Sequence, residues 1–317
     1  MRRFLLQYVG FLRVVMVLSF SQDPRCVPNG LQRIAARVAY DGTDFRGFQI
    51  QSGNARTVQG EIERALGIVL QRETRIMAAS RTDTGVHARG QAIHFDIPTS
   101  WCTTAENDDE AGCRILNFKL NQLLPPDLML WNVSLAPLRS ELAGFEHLPW
   151  HSMICSTGKM YSYRWRCARH MTPLDRRDRS IWYKGGQDIG KLEDYLSAFE
   201  GTRDFASFAN RLSHKQAMRE SNGFEGDLNT RRTVRKITLS REGIYGEIED
   251  YRLDFELDGA LYKMVRNIVG CLFDLSSGVL SLENLEDIFE RRDRMKNPSK
   301  AAPAAGLTLE HVYYDLY

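Results

Sequence analysis

The sequence predicts an α+β protein built from two split βαβ halves, and three features carry that prediction. The chain has 317 residues, more than one hydrophobic core usually fills, so two packed units are expected. From Arg33 to Leu135 the hydrophobic periodicity runs strand, helix, strand, strand, helix, strand, which is the order of a ferredoxin-like unit. Beyond the Gly- and Pro-bearing segment Ala136–Pro149 the order roughly recurs, without a direct sequence repeat. The expected organisation is an extension over 1–32, an N-terminal half over 33–145 and a C-terminal half over 146–317.

Each element has its own reason. Arg33–Tyr40 alternates Ile34, Ala36, Val38 and Tyr40, a strand with one buried face, and Asp41-Gly42-Thr43-Asp44 ends it in a turn. Val58, Ile62, Ala65, Leu66, Val69 and Leu70 repeat at helical spacing and predict a helix over Val58–Leu70. Thr74–Ala79 and Gln91–Ile97 read as strands flanking a polar loop, and the acidic stretch Thr103–Gly112 as a surface loop. Leu116–Leu124 suggests a helix stopped by Pro125-Pro126, followed by a strand over Met129–Leu135. In the second half Met160–Arg166 is a strand, Asp188–Phe199 a helix, and Arg232–Ser240 and Glu247–Leu257 are strands. Leu261, Met264, Val265, Ile268, Leu272 and Leu275 fall on one face of a helix over Ala260–Leu275. Leu282–Arg291 forms another helix, Leu307–Tyr314 a last strand, and the polar stretch Arg211–Thr230 a loop.

Composition excludes little but narrows the class. Hydrophobic content of 43% and charged content of 26% are ordinary for a globular protein. The net charge of +2 argues only weakly for a polyanionic partner, and its distribution says more. Arg164, Arg166, Arg169, Arg176, Arg177 and Arg179 fall within sixteen residues, and Arg231, Arg232, Arg235 and Lys236 form a second basic stretch. Such clusters are the footprint of phosphate-backbone binding as well as of plain solvated faces. The six cysteines are scattered without a Cys-x-x-Cys pair, so neither a zinc pattern nor a disulfide framework is expected. Met1–Gln22 carries Arg2, Arg3 and Arg13 and no acid. That fits an organellar presequence for mitochondrion or plastid, its apolar character also permits a secretory or bipartite signal, and without targeting the compartment is cytoplasmic. Arg13 interrupts the apolar run, so no membrane span is expected there.

The chemistry concentrates in Ser80-Arg81-Thr82-Asp83-Thr84-Gly85-Val86-His87-Ala88-Arg89-Gly90-Gln91-Ala92. Asp83 is the only acid between Glu73 and Asp96, with Arg81, His87 and Arg89 close in sequence. Cationic neighbours favour an ionised carboxylate, and a carboxylate that is ionised and aimed can act as a nucleophile. The plainer reading is that Thr-Asp-Thr-Gly is ordinary turn chemistry. Tyr161 and Tyr163, two apart on a strand, share a face, as core aromatics or as a platform. Arg266 stands opposite the apolar stripe of its helix, one turn from Tyr262 and Gly270.

With Gly90-Gln91-Ala92-Ile93-His94-Phe95 attached, the Asp83 loop resembles the signature of the TruA family of tRNA pseudouridine synthases, Gly-Arg-Thr-Asp-Ala-Gly-Val-His-x-x-Gly-Gln-Val-x-His-Phe. Tyr40–Gln49 resembles the family's entry motif, with Phe48 where tryptophan is frequent, and Met264-Val265-Arg266-Asn267-Ile268-Val269-Gly270 matches a further motif without a gap. Gly201–Phe208 and Ala302–Leu307 also fit. His151–Tyr161 resembles His-Ala-Arg-x-Ser-Ala-Thr-x-Arg-x-Tyr, with Met153 at the usual arginine and Cys155 at the usual serine.

The resemblance implies joined, mainly antiparallel sheets around a central basic active-site cleft. It implies catalytic roles for Asp83 as nucleophile, Arg81 and Arg266 as its neutralising or orienting partners, and Tyr161 stacking on the target base or acting in the proton transfer. It implies substrate contacts by Arg46, Gln49, His87, Arg89, His151, Lys159 and Arg164, and a Gly270 that lets its helix approach a neighbour. The partner is then tRNA at its anticodon stem-loop, at positions 38, 39 or 40, bound by a homodimer, with no metal, no small-molecule cofactor and no membrane. Two rivals are an idle RNA-binding protein on the same fold and a metal-dependent hydrolase using Asp83 with His87 and His94, the latter beside Asp96 on one strand face.

Overall fold

The computed structural model describes residues 27–101, 109–138, 149–167, 181–183, 188–210, 229–245 and 248–315. The expected presequence, most of the Arg211–Thr230 loop, and Arg169, Arg176, Arg177 and Arg179 lie outside them. The elements in chain order are β1 (Leu31–Tyr40), α1 (Val58–Leu70), β2 (Met77–Ala78), β3 (His87–Pro98), α2 (Asp109–Leu123), β4 (Leu128–Leu135), β5 (Ser156–Cys167), β6 (Ile181–Tyr183), α3 (Ile189–Asp194), β7 (Gly201–Asp204), β8 (Arg231–Tyr245), β9 (Ile248–Leu257), α4 (Met264–Ser276), α5 (Leu282–Arg291) and β10 (Leu307–Tyr314).

All ten strands join one sheet of order β4-β1-β3-β10-β5-β9-β8-β7, with β2 added on β3 and β6 on β5. The pairings are antiparallel except β5–β6 and β3–β10. The β3–β10 pairing, the seam between the strands before residue 145 and those after it, is only two residues long, Thr308 beside His87 and Leu309 beside Ala88. Hydrophobic side chains from both sides of this seam nevertheless join in one main core, beside a small cluster around Trp150 and Cys155. On one face of β5, Tyr163 and Trp165 pack edge-on against Phe273 of α4, at ring-centroid distances of 6.2 and 5.3 Å.

Local chemistry explains where the elements begin and stop. The side chain of Thr57 caps α1 by accepting the Gly60 N–H, and Ser281 with Asn284 forms a capping box on α5. α4 starts later than the apolar stripe suggests, because Lys263 adopts a left-handed conformation at φ 61°. Its burial also exceeds an amphipathic pattern: within α4 only Arg266 and Asp274 escape full burial. The expected helix over Asp188–Phe199 breaks at Tyr195 into a 3-10 turn, and α2 takes the last residues of the expected Thr103–Gly112 loop. The expected strand over Thr74–Ala79 shrinks to β2, since the Ile76 N–H is claimed by the Glu63 carboxylate. β6 and β7 were not legible in the periodicity.

The opposite face of β5 corrects the reading of its arginines as a phosphate-binding patch. Arg166 pairs in bidentate fashion with Asp250 at 2.6 and 2.8 Å. Arg164 reaches Glu310 at 2.9 Å and Glu242 at 3.2 Å. Both arginines are buried, and their carboxylate partners sit far away in sequence, where a local charge count does not find them.

Close packing of α4 gives a direct test of the fold. A side chain on Gly270 would land on the Lys300 carbonyl oxygen. Gly270→Ala is expected to destabilise the protein by about 1–3 kcal/mol through overpacking. Gly67→Ala, in α1 where the added carbon meets nothing closer than 3.9 Å, is expected to be neutral or stabilising by up to about 1 kcal/mol. Urea unfolding of both variants checks the contrast.

Candidate active site

The Asp83 loop leaves β2, turns, and enters β3 beside the seam. Its turn is closed by the Val86 N–H donating to the Asp83 carbonyl at 3.2 Å, with Gly85 at φ 79° in the left-handed position, so the turn chemistry read from the sequence is present. Three neighbours hold the loop. The Phe48 N–H donates to the Thr82 carbonyl at 3.1 Å, and Gly47, at φ 92°, leaves room for that approach. The Tyr40 hydroxyl meets Thr82 Oγ1 at 2.7 Å. The buried Gln91 amide brackets Ser80, accepting its N–H at 3.2 Å and donating to its carbonyl at 2.6 Å.

This scaffold aims the Asp83 side chain at the second half. Arg266 Nη1 donates to Asp83 Oδ2 at 2.9 Å, while Arg266 Nε donates to the Ala302 carbonyl at 2.7 Å. The Ala302 N–H returns to the Arg266 carbonyl at 2.9 Å, so the guanidinium is fixed before it meets the carboxylate. The side chains are 13% and 17% exposed, shielded enough to interact strongly yet open to a small reactant. Among the described residues nothing donates to Asp83 Oδ1. Beneath the loop Tyr161 Oη meets Ser80 Oγ at 3.0 Å. Burial, reinforced by the Asp83 charge, raises the Tyr161 phenol to about 12.

The expected residues divide clearly. Asp83, Arg266 and Tyr161 come together, and Arg81, Arg46 and Gln49 are exposed side chains on the same loop and on the segment that supports it. Lys159, two residues before Tyr161, is half-buried, and burial with Arg232 nearby lowers it to about 8. The others correct the sequence reading. His87 is engaged with the turn after β1: its Nδ1 lies 3.1 Å from Asp41 and accepts the Gly42 N–H. Arg89 approaches Glu310 at 3.8 Å, and it shares the far face of the sheet with Arg164, because Ala88 and Tyr161 flank Leu309 on the near face. His151 is buried and its Nδ1 accepts the N–H groups of Met153 and Ile154. Tyr161 is 4% exposed, so little of its ring is open at the surface.

Two residues of the hydrolase rival have partners of their own. His94 Nδ1 accepts the Ser152 N–H at 3.2 Å, and Asp96 is held by Arg33 at 2.8 and 2.9 Å. Among the described residues no group of three His, Cys, Asp or Glu side chains is placed to hold a metal. The residues that sequence reasoning missed are Ser80, Gln91 and Tyr40. Gln91 alone carried a signal, as a polar residue on the strand face otherwise occupied by Ile93 and Phe95.

Residues 196–315 match the family model described as tRNA pseudouridine synthase. Over 280 residues the chain is 35% identical to tRNA pseudouridine synthase A 1 of Protochlamydia amoebophila (strain UWE25), covering 88% of this chain and 94% of that protein. It is 34% identical over 289 residues to tRNA pseudouridine synthase A of Latilactobacillus sakei subsp. sakei (strain 23K), covering 89% and 99%. It is also 34% identical over 287 residues to the protein of that name from Listeria welshimeri, covering 90% and 100%. A chain of a solved Cbf5-Nop10-Gar1 complex is matched at a TM-score of 0.25 and 11% identity, over 80% of this chain and 57% of that one, which bears on neither fold nor function.

The His94 contacts predict an acid response. Burial, with His151 and Arg33 beside it, pushes His94 down to about 2 from 6.5. The unfolded chain therefore takes up a proton below pH 6.5 that the folded chain refuses, and stability falls with acidification by about 1.4 kcal/mol per pH unit from this group. His94→Asn, which keeps an acceptor for Ser152, is expected to flatten that slope between pH 6 and 4. Equal slopes in thermal melts of the two proteins would show that His94 protonates in place.

Proposed function

The chain belongs to the tRNA pseudouridine synthase A family, and from that premise we propose that it isomerises uridine to pseudouridine in the anticodon arm of tRNA, with Asp83 as nucleophile. The observation that carries the reading is the division of labour on one carboxylate: Arg266 occupies Oδ2, and among the described residues nothing donates to Oδ1. In the reaction the C1′–N1 bond breaks, the uracil turns, a C1′–C5 bond forms, the hydrogen at C5 leaves as a proton, and N1 takes up a proton from solvent. Attack on C1′ and attack on the ring both bring one carboxylate oxygen against the target nucleoside. Arg266 supports the carboxylate whenever it is the leaving group, because its guanidinium is already anchored on Ala302.

The base must leave its stack to reach Asp83, at a cost of a few kcal/mol, and settles over the floor that Tyr161 provides. Arg81, Arg46, Gln49 and Lys159 are the side chains we assign to the RNA, since they remain open to it or lie on the strand face of Tyr161. Phosphate contacts of this kind position the RNA without choosing its sequence. Arg164, His151 and His87 are assigned to the fold, and Arg89 to the far face. By resemblance the target positions are 38, 39 and 40, read by a homodimer. The strand orders β4-β1-β3-β2 and β10-β5-β9-β8 support reading the halves 33–145 and 146–317 as ferredoxin-like units with a basic cleft at their seam.

Tritium release from tRNA labelled at uridine C5 tests the reaction. Release by the wild type and a loss of at least about 10⁴-fold in Asp83→Asn, which keeps size but not charge, is the expected result. A wild type that binds tRNA without releasing tritium would favour the RNA-binding rival.

A further inference from the structure

Ser80 is not part of the acid–arginine–tyrosine set, yet its hydroxyl is the only hydrogen-bonding partner of the Tyr161 phenol among the described residues. The bond is built, not incidental. Gln91, itself fully buried, grips the Ser80 backbone through both ends of its amide. That grip sets the direction of the Ser80 side chain before Tyr161 is met. The bond crosses the seam, from the segment before β3 to β5, with β10 the only strand between those two. Asp83 lies three residues further along the same loop, whose next rung is the Tyr40–Thr82 hydroxyl pair.

The Asp83 charge also acts on Tyr161, so the ring lies within the field of that carboxylate. A buried hydroxyl without a bond costs about 1–3 kcal/mol, so a phenol deprived of Ser80 is driven to shift its ring toward another partner. The surface beneath the Asp83 loop would then no longer be held at one height.

We propose that Ser80 is a positioning residue that anchors the Tyr161 hydroxyl and so holds the ring at a fixed height and tilt beneath the Asp83 loop. The family signature carries glycine at this place, where no hydroxyl can do so; this chain has a lock of its own. The inference rests on the isomerase reading.

Kinetics on labelled tRNA test it. Ser80→Ala and Ser80→Gly are expected to lower kcat about tenfold, the worth of one buried hydrogen bond, while KM for tRNA changes less than about twofold. Ser80→Thr, which keeps the hydroxyl, is expected to restore most of kcat. On a Tyr161→Phe background Ser80→Ala is expected to have no further effect, as for two groups acting through one contact. An unchanged kcat in Ser80→Ala, or a loss repeated in full on the Tyr161→Phe background, would overturn the proposal. Should Tyr161→Phe abolish turnover, fluorine resonances of 3-fluorotyrosine-labelled protein read the same coupling. The resonance missing from Tyr161→Phe is expected to shift in Ser80→Ala, and an unmoved one sinks the idea. A wild type that releases no tritium brings down the isomerase reading itself, whereas an active wild type with an indifferent Ser80 brings down only the lock.

Discussion

Everything that positions the site converges on one ion pair between residues 183 apart in the chain, Asp83 and Arg266. Such a pair cannot be formed by local structure. It needs the N-terminal half to present a turn and the C-terminal half to present a helix, with their relative position fixed to within a few tenths of an ångström. The two-residue parallel pairing of β3 with β10 is too short to do this alone. A continuous core beneath both halves does it, together with α4, which is buried so thoroughly that it cannot slide. Gly270 against Lys300 and the exchange between Arg266 and Ala302 lock the helix to the segment that follows it.

The two faces of β5 show how one strand serves chemistry and stability separately. Tyr161, Tyr163 and Trp165 face the helices, where burial of aromatic area is the main gain. Ser162, Arg164 and Arg166 face the other way into a layer of carboxylates from β8, β9 and β10. Buried ion pairs gain little net stability, but losing one partner is costly. Such a layer therefore fixes strand register more than it adds stability, and register is what delivers Tyr161 to a position under Asp83.

The sequence carried what is local. The helices over 58–70 and 282–291 and the strand over 307–314 have the ends their periodicity predicts, because their apolar spacing and caps lie within the segment itself. Asp83 was legible as the lone acid of a polar turn, and Arg266 through the motif around it. Arg164 illustrates a limit that alternation could have exposed: three residues from Tyr161 on a strand, it must point to the opposite face. His151 and His87 illustrate a limit that nothing local exposes. Each looks like a candidate contact until its ring nitrogen is found accepting a backbone N–H, His87 from Gly42 and His151 from Met153 and Ile154. The strand expected over Thr74–Ala79 was shortened to β2 by Glu63, a side chain of α1, which no window over that segment contains.

The polar layer of Tyr40, Thr82, Ser80, Gln91 and Tyr161 lies at the end of that reasoning. Their sequence types are ordinary: two strand tyrosines, two turn hydroxyls and a strand amide. Their meaning comes from being buried together, since in a low-dielectric interior every hydroxyl left without a partner is penalised and every satisfied one is strongly oriented. Burial keeps both phenols above the ordinary tyrosine range, so they act as fixed dipoles and not as charges. A layer of neutral, mutually bonded groups under Asp83 gives the loop a rigid seat without competing for its charge. That leaves Arg266 as the one described group paired with the carboxylate, and one oxygen to which no described group donates.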